Sequence, residues 1–184
     1  MIRIGKRIPG GVGLAAALLR RASAVELDWD VRSKSRFDAT DSTGRALGVF
    51  LPRGSVVRGG DVLVAEDGSL VRVIAAPQAV LDVRAAPGGS PFDLLRAAYH
   101  LGNRHVALEL QSDHLKLEPD HVLADLLRSM GLQVQALQAP FEPEGGAYAA
   151  AAGHDHGHHD HSHSHDHAGH SHDDGHDDGH RHGG

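Results

Sequence analysis

The chain contains no cysteine, which removes disulfide frameworks, thiolate metal sites, redox dithiols and cysteine nucleophiles. Long apolar runs are missing as well. No stretch approaches the roughly 18 consecutive apolar residues of a membrane span. The longest run near the start, Leu14 to Leu19, is too short for a signal-peptide core with a convincing cleavage site. The simplest location is therefore the cytoplasm, with no membrane partner. A basic excess is also lacking. Net charge is −6, and from His154 onward the chain holds seven Asp and one Arg. The preceding 153 residues balance at 17 acidic and 17 basic side chains. Nucleic acid is excluded as a partner, because displacing counterions from phosphate needs a basic surface. Gly10-Gly11-Val12-Gly13 lacks the lysine of a phosphate loop. No serine–histidine–acid set or pair of catalytic carboxylates stands out, so an enzyme is not expected.

What is present divides into three segments, and the fold class expected is α+β. Residues 1–75 read as an all-β domain: short apolar or alternating runs at Ile2–Ile4, Val25–Val31, Ala46–Leu51, Val62–Ala65 and Leu70–Ala75 are separated by turn residues. Glu66-Asp67-Gly68-Ser69 is a hairpin signal, since Gly68 reaches positive φ at little cost. Residues 76–148 carry a strand at Ala79–Ala85 and a helix opening at Ser90-Pro91-Phe92-Asp93, with Ser90 as N-cap and Asp93 placed for a capping box. That helix shows Phe92, Leu95, Ala98 and Tyr99 on one side and stops at Gly102-Asn103. Val106, Leu108 and Leu110 alternate as a strand, and Leu115–Leu117 follows after a turn. Pro119 opens a second helix that Gly131 ends, before a last strand at Leu132–Leu137. The order β-α-β-β-α-β is that of a ferredoxin-like unit. Pro140 to Glu144 leads into a linker, and residues 149–184 form a histidine-rich tail. Only Ala168 is apolar among the last 31 residues. Such a composition cannot offset its ordering entropy, so the tail is expected to be disordered.

The chemistry concentrates in that tail. Thirteen of the 17 histidines fall between His154 and His182. Many stand in His-X-His steps: His154, His156 and His158, then His159, His161, His163, His165 and His167, then His170 and His172. Imidazole suits nickel, copper and zinc, and the interspersed aspartates add oxygen ligands. A purification tag is normally a plain histidine run, unlike this one, which Asp, Ser and Gly interrupt. A solvating tail with incidental metal affinity is the other bland alternative. Four further histidines lie in the second domain. His100 sits in the last turn of the first helix, where the dipole alone favours a cation. His105 precedes a strand, His114 reads as exposed at a hairpin tip, and His121 opens the second helix beside Asp120. No two are spaced i, i+4 on one helix, so a body site would have to be assembled across the fold or across two subunits.

Three ordered blocks carry a resemblance: Ala98-Tyr99-His100-Leu101-Gly102-Asn103-Arg104-His105-Val106, Asp120-His121-Val122-Leu123-Ala124-Asp125-Leu126-Leu127, and Pro140-Phe141-Glu142-Pro143-Glu144-Gly145-Gly146-Ala147-Tyr148. Together with Val31-Arg32-Ser33-Lys34-Ser35-Arg36, Leu51-Pro52-Arg53-Gly54 and Arg58-Gly59-Gly60-Asp61-Val62-Leu63, they resemble the urease accessory protein E family. The resemblance implies a homodimeric Ni(II) chaperone that supplies urease assembly together with an accessory GTPase and the urease apoprotein. His105 from both subunits would bind one ion at the two-fold axis, with Zn(II) or Cu(II) as alternative occupants there or at peripheral sites. Positions matching His100 and His121 take part in secondary sites of the family. Where some members carry a further histidine two residues before His121, this chain has Pro119. The first domain is implied to dock peptides or partners.

Two rivals remain. One is a histidine-rich nickel or zinc storage protein whose body is only a scaffold, which would not transfer metal stoichiometrically to a partner. The other is a metal-dependent hydrolase using His105 and His121, which needs a further ligand on the same ion. For the tail itself, protons compete for imidazoles titrating near pH 6.5. Nickel capacity should therefore fall steeply between about pH 7.5 and 5.5, and equal capacity in titrations at both ends would identify carboxylates as the ligands.

Overall fold

The computed structural model describes residues 1–145. The tail at 149–184, with every histidine from His154 on, lies outside the described residues, as does Tyr148. The elements run β1 (Ile2–Ile8), α1 (Ala16–Arg21), β2 (Ser23–Leu27), α2 (Trp29–Arg32), β3 (Arg36–Thr40), β4 (Ala46–Phe50), β5 (Val62–Ala65) and β6 (Leu70–Ala75) in the first part. The second part holds β7 (Pro77–Ala85), α3 (Pro91–Gly102), β8 (Glu109–Leu110), β9 (Leu115–Leu117), α4 (His121–Ser129) and β10 (Leu132–Pro140).

The first six strands form one mixed sheet in the order β2-β6-β5-β1-β4-β3. Ile4, Leu47, Val49, Leu63 and Val71 fill its core. This part is not strictly all-β. The expected strand Val25–Val31 stops at Leu27 because Asp28 caps α2, its carboxylate accepting the Val31 N–H at 2.9 Å. Ala16–Arg21, a run of good helix formers, makes the other short helix. β1 extends to Ile8, and the unanticipated β3 alternates exposed and half-buried residues against β4.

The second sheet is antiparallel, in the order β10-β7-β9-β8. Its elements follow the strand-helix-strand-strand-helix-strand order read from the sequence. The capping box at Ser90 and Asp93 is present, and Asp120, not Pro119, caps α4 by accepting the Leu123 N–H. Leu94, Ala97 and Leu101 of α3 pack with Ala124 and Leu127 of α4 onto Leu81, Val83, Leu115 and Leu117. The other side of α3 faces outward: Phe92, Leu95 and Tyr99 are each exposed by 59% or more. Val122 of α4 is likewise exposed. β8 is shorter than expected, because Val106 to Leu108, just after the turn that closes α3, make no strand pairing.

Register explains how the two parts join. Along β7 and β10, Leu132 pairs with Ala85 and Pro140 with Pro77, so the chain leaves the second sheet where it entered it. Residues 141–144, just ahead of the expected linker, pack tightly. Phe141 is fully buried, edge-on to Trp29 with ring centroids 6.2 Å apart. Arg32, also fully buried, donates to the Leu27 carbonyl, the Phe141 carbonyl and the Glu142 carboxylate. Glu142 also accepts from the Gly59 N–H and from Arg58. We call residues 141–144 the strap.

Removing one partner of a buried ion pair leaves an uncompensated charge, at about 3–5 kcal/mol. Glu142 keeps 31% of its side chain exposed, so Glu142→Ala should cost somewhat less, about 2–3 kcal/mol. The exposed Arg3–Glu66 pair serves as a control, with Glu66→Ala changing stability by at most about 1 kcal/mol. Urea unfolding with unchanged slope reads both; equal effects would mean that the strap pair is no stronger than a surface contact.

Candidate metal site

His105 is not at the start of a strand. It lies in the turn that ends α3, four residues before β8. The His105 N–H donates to the Gly102 carbonyl at 2.9 Å and the Val106 N–H to the Leu101 carbonyl at 3.2 Å. These are the two bonds of a Schellman closure, with Val106 packing on the core cluster that holds Leu101. The closure requires its last-but-one residue to be left-handed, a position that glycine usually fills. Here it is His105, at φ 58°, the one non-glycine with positive φ among the described residues. The strained backbone holds an exposed imidazole. Such outliers point from conformation to function.

The ring borders an open cleft of about 440 Å³, lined also by Val106, Ala107, Glu118, Pro119, Asp120 and Leu123. The fold thus brings His105 to Asp120, the N-cap of α4, 15 positions later in sequence. Asp120 and Glu118 make that cleft acidic, which favours a cation. His121, the first residue of α4, is exposed next to Asp120 but does not line the cleft. His100 lies half-buried in the last turn of α3, its ring 5.4 Å from that of Tyr99 and its carbonyl accepting from Arg104. Among the described residues, no three His, Asp or Glu side chains converge as a metal site. One copy of this body therefore offers dispersed ligands and no finished coordination sphere.

His114 differs from its exposed reading. Its side chain is only 16% exposed; Nδ1 stands 2.7 Å from Asp113, and Nε2 is 3.9 Å from the buried Asp82. Arg84 bridges both carboxylates at 2.7 Å. Hydrogen bonds from His114, then from Arg84, hold the Asp113 carboxyl below its ordinary range, and those carboxylates raise Arg84 in turn. His114 is thus tied into a hairpin network away from the cleft lining. Asp41 illustrates the same chemistry in the first sheet. Burial pushes its carboxyl up, but hydrogen bonds from Thr43, the Arg45 backbone, Ser23 and the Arg45 side chain overcome this and hold it well below the usual range. In both networks the carboxylates are already engaged by neighbouring donors. The acidic neighbours of His105 escaped the sequence reading because nothing local to Gly102-Asn103-Arg104-His105 signals contact with α4.

The chain matches two family models, described as the UreE urease accessory protein N-terminal domain over residues 4–76 and C-terminal domain over residues 78–168. The chain belongs to the UreE urease accessory protein family. Among its relatives, a urease accessory protein UreE of Albidiferax ferrireducens is 63% identical over all of this chain and 96% of its own length. One from Methylibium petroleiphilum is 76% identical over 84% of this chain and 71% of its own. One from Burkholderia ambifaria is 55% identical over 84% and 76%. A UreE-family chain is an accessory protein for urease and not itself an enzyme, so the hydrolase rival falls. The boundary between the matched regions coincides with the junction between β6 and β7, and no described helix is long and apolar enough to cross a membrane.

Because left-handed backbone costs a non-glycine residue about 1–2 kcal/mol, His105→Gly should stabilise the fold by about 1 kcal/mol while His105→Ala keeps the strain. Thermal and urea unfolding of both variants check this. A glycine variant no more stable than wild type would show that His105 is held there without cost.

Proposed function

We propose that this UreE-family chain is a homodimeric carrier of Ni(II) for urease maturation, with His105 of each subunit supplying the shared, tightest site. The observation that carries the reading is the imidazole at 105, kept in a conformation that glycine would adopt more easily, and exposed beside an acidic cleft. The absence of a three-ligand cluster within one described body fits a site completed by a second copy. The outward apolar stripe Phe92, Leu95 and Tyr99 on α3 suits a two-fold contact, because the same helix ends in the His105 turn. A C2 interface repeats one surface patch, so a single histidine yields two ligands.

Delivery on this reading is ligand exchange. A few imidazoles with open positions hold nickel while leaving room for an incoming partner ligand. Copper binds such ligands more tightly, so geometry and availability must select the cargo. His100 and His121 would act as peripheral stations, and Pro119 leaves the His121 station one imidazole short. The tail histidines would add capacity, the second domain would be the ferredoxin-like metal-binding unit, and the first would dock the accessory GTPase or the urease apoprotein.

The test uses the full-length chain with its thirteen tail histidines replaced by serine. Calorimetric nickel titration should give one tight ion per two chains, lost in His105→Ala and retained in His114→Ala. One ion per chain, or no effect of His105→Ala, would sink the carrier reading and leave storage by the tail.

A further inference from the structure

The Pro140–Glu144 block has no role in metal binding by the reading above, yet it touches both the first domain and the segment just after the His105 turn. On one side, Glu142 accepts from Arg32 at 2.8 Å and from the Gly59 N–H at 2.7 Å. On the other, the Glu142 N–H donates to the buried Glu109 carboxylate at 2.7 Å, and the Glu144 N–H donates to the Leu108 carbonyl at 2.7 Å. Lys116 holds Glu109 in place at 2.8 Å. Leu108 and Glu109 stand three and four residues after His105. A strap of four residues therefore pins the segment that follows the His105 turn and is itself pinned by the first domain.

We infer that Glu142 is a positioning residue for the His105 metal site: through the strap it fixes the segment of residues 105–109 against the first domain, so that loosening the strap weakens nickel binding and bound nickel tightens the strap. The inference rests on the reading of His105 as a nickel ligand. Its physical basis is pre-organisation. Residues 106–108 have no strand partner of their own, and a turn freed from the strap must be ordered again when the imidazole engages metal. Coupling of this kind is reciprocal, so the factor by which the strap helps nickel is the factor by which nickel protects the strap. A partner seated on the first domain near Arg32 and Arg58 would thereby gain leverage on release, since prising off Glu142 lowers the affinity of a site it never touches.

Two variants attack the strap from different sides. Glu142→Gln removes the charge with little change of shape. Gly59→Ala acts from the first domain, where a methyl group would stand 2.8 Å from the Glu142 carboxylate and force it aside. In the full-length chain with tail histidines replaced by serine, both variants should weaken nickel binding roughly fivefold or more at unchanged stoichiometry. In the parent of those variants, nickel should slow amide exchange at Glu142 and Glu144 by a similar factor, and His105→Ala should abolish that protection. A merely structural strap predicts lower stability with no nickel-dependent protection. If His105→Ala removes the ion but Gly59→Ala leaves affinity within twofold and nickel leaves strap exchange unchanged, the coupling is refuted and the carrier reading stands. If His105→Ala leaves nickel binding intact, both fall together.

Discussion

A guanidinium withdrawn from water must find partners for its donors, and Arg32 is withdrawn completely. The first domain supplies one partner, the Leu27 carbonyl. The other two, the Phe141 carbonyl and the Glu142 carboxylate, come from more than a hundred residues later. Burying Arg32 and closing the strap are therefore one event, since neither side is satisfied without the other. Trp29 adds to the same knot, with Arg32 and Arg58 over its ring at 5.5 and 5.0 Å and Phe141 at its edge. The end of the folded body thus becomes a structural member of its beginning, and the His105 turn inherits the constraint through Leu108 and Glu109.

The carrier reading demands two things that pull against each other. A cargo site must be firm enough to define its ligands and open enough to surrender the ion. The body meets the first demand with backbone: a Schellman closure and a strap fix where His105 stands. It meets the second by leaving the imidazole exposed beside Asp120 and Glu118, with no three-ligand cluster among the described residues. His114 shows the contrast. Its Nδ1 is engaged by Asp113 at 2.7 Å and its side chain is largely buried in a hairpin.

Elements with a strong local signal were legible in advance. Ser90-Pro91-Phe92-Asp93 closed as a capping box, and β5 and β6 fell where alternation and the Gly68 turn put them. Errors arose where two local signals competed or where the deciding contact was distant. Asp28 overrode the β-propensity of Val25–Val31 by capping a helix. Phe92, Leu95 and Tyr99 share a helix face, but periodicity cannot tell which apolar face meets the sheet and which meets something else. Val106 and Leu108 alternate like a strand, yet the Schellman closure and the Glu144 bond claimed their backbone first.

The sequence by itself determined that this is a UreE-family chain, where its histidines are concentrated, and the order of strands and helices in its second half, because motifs, composition and periodicity are properties of neighbouring residues. It also singled out Gly102-Asn103-Arg104-His105 and Pro140-Phe141-Glu142-Pro143. What those blocks do to each other was decided only in three dimensions. That Glu118 and Asp120 stand beside His105, and that Glu142 neutralises a buried Arg32, depends on groups 13 to 110 positions apart. Desolvation and register, which no local pattern encodes, brought them together.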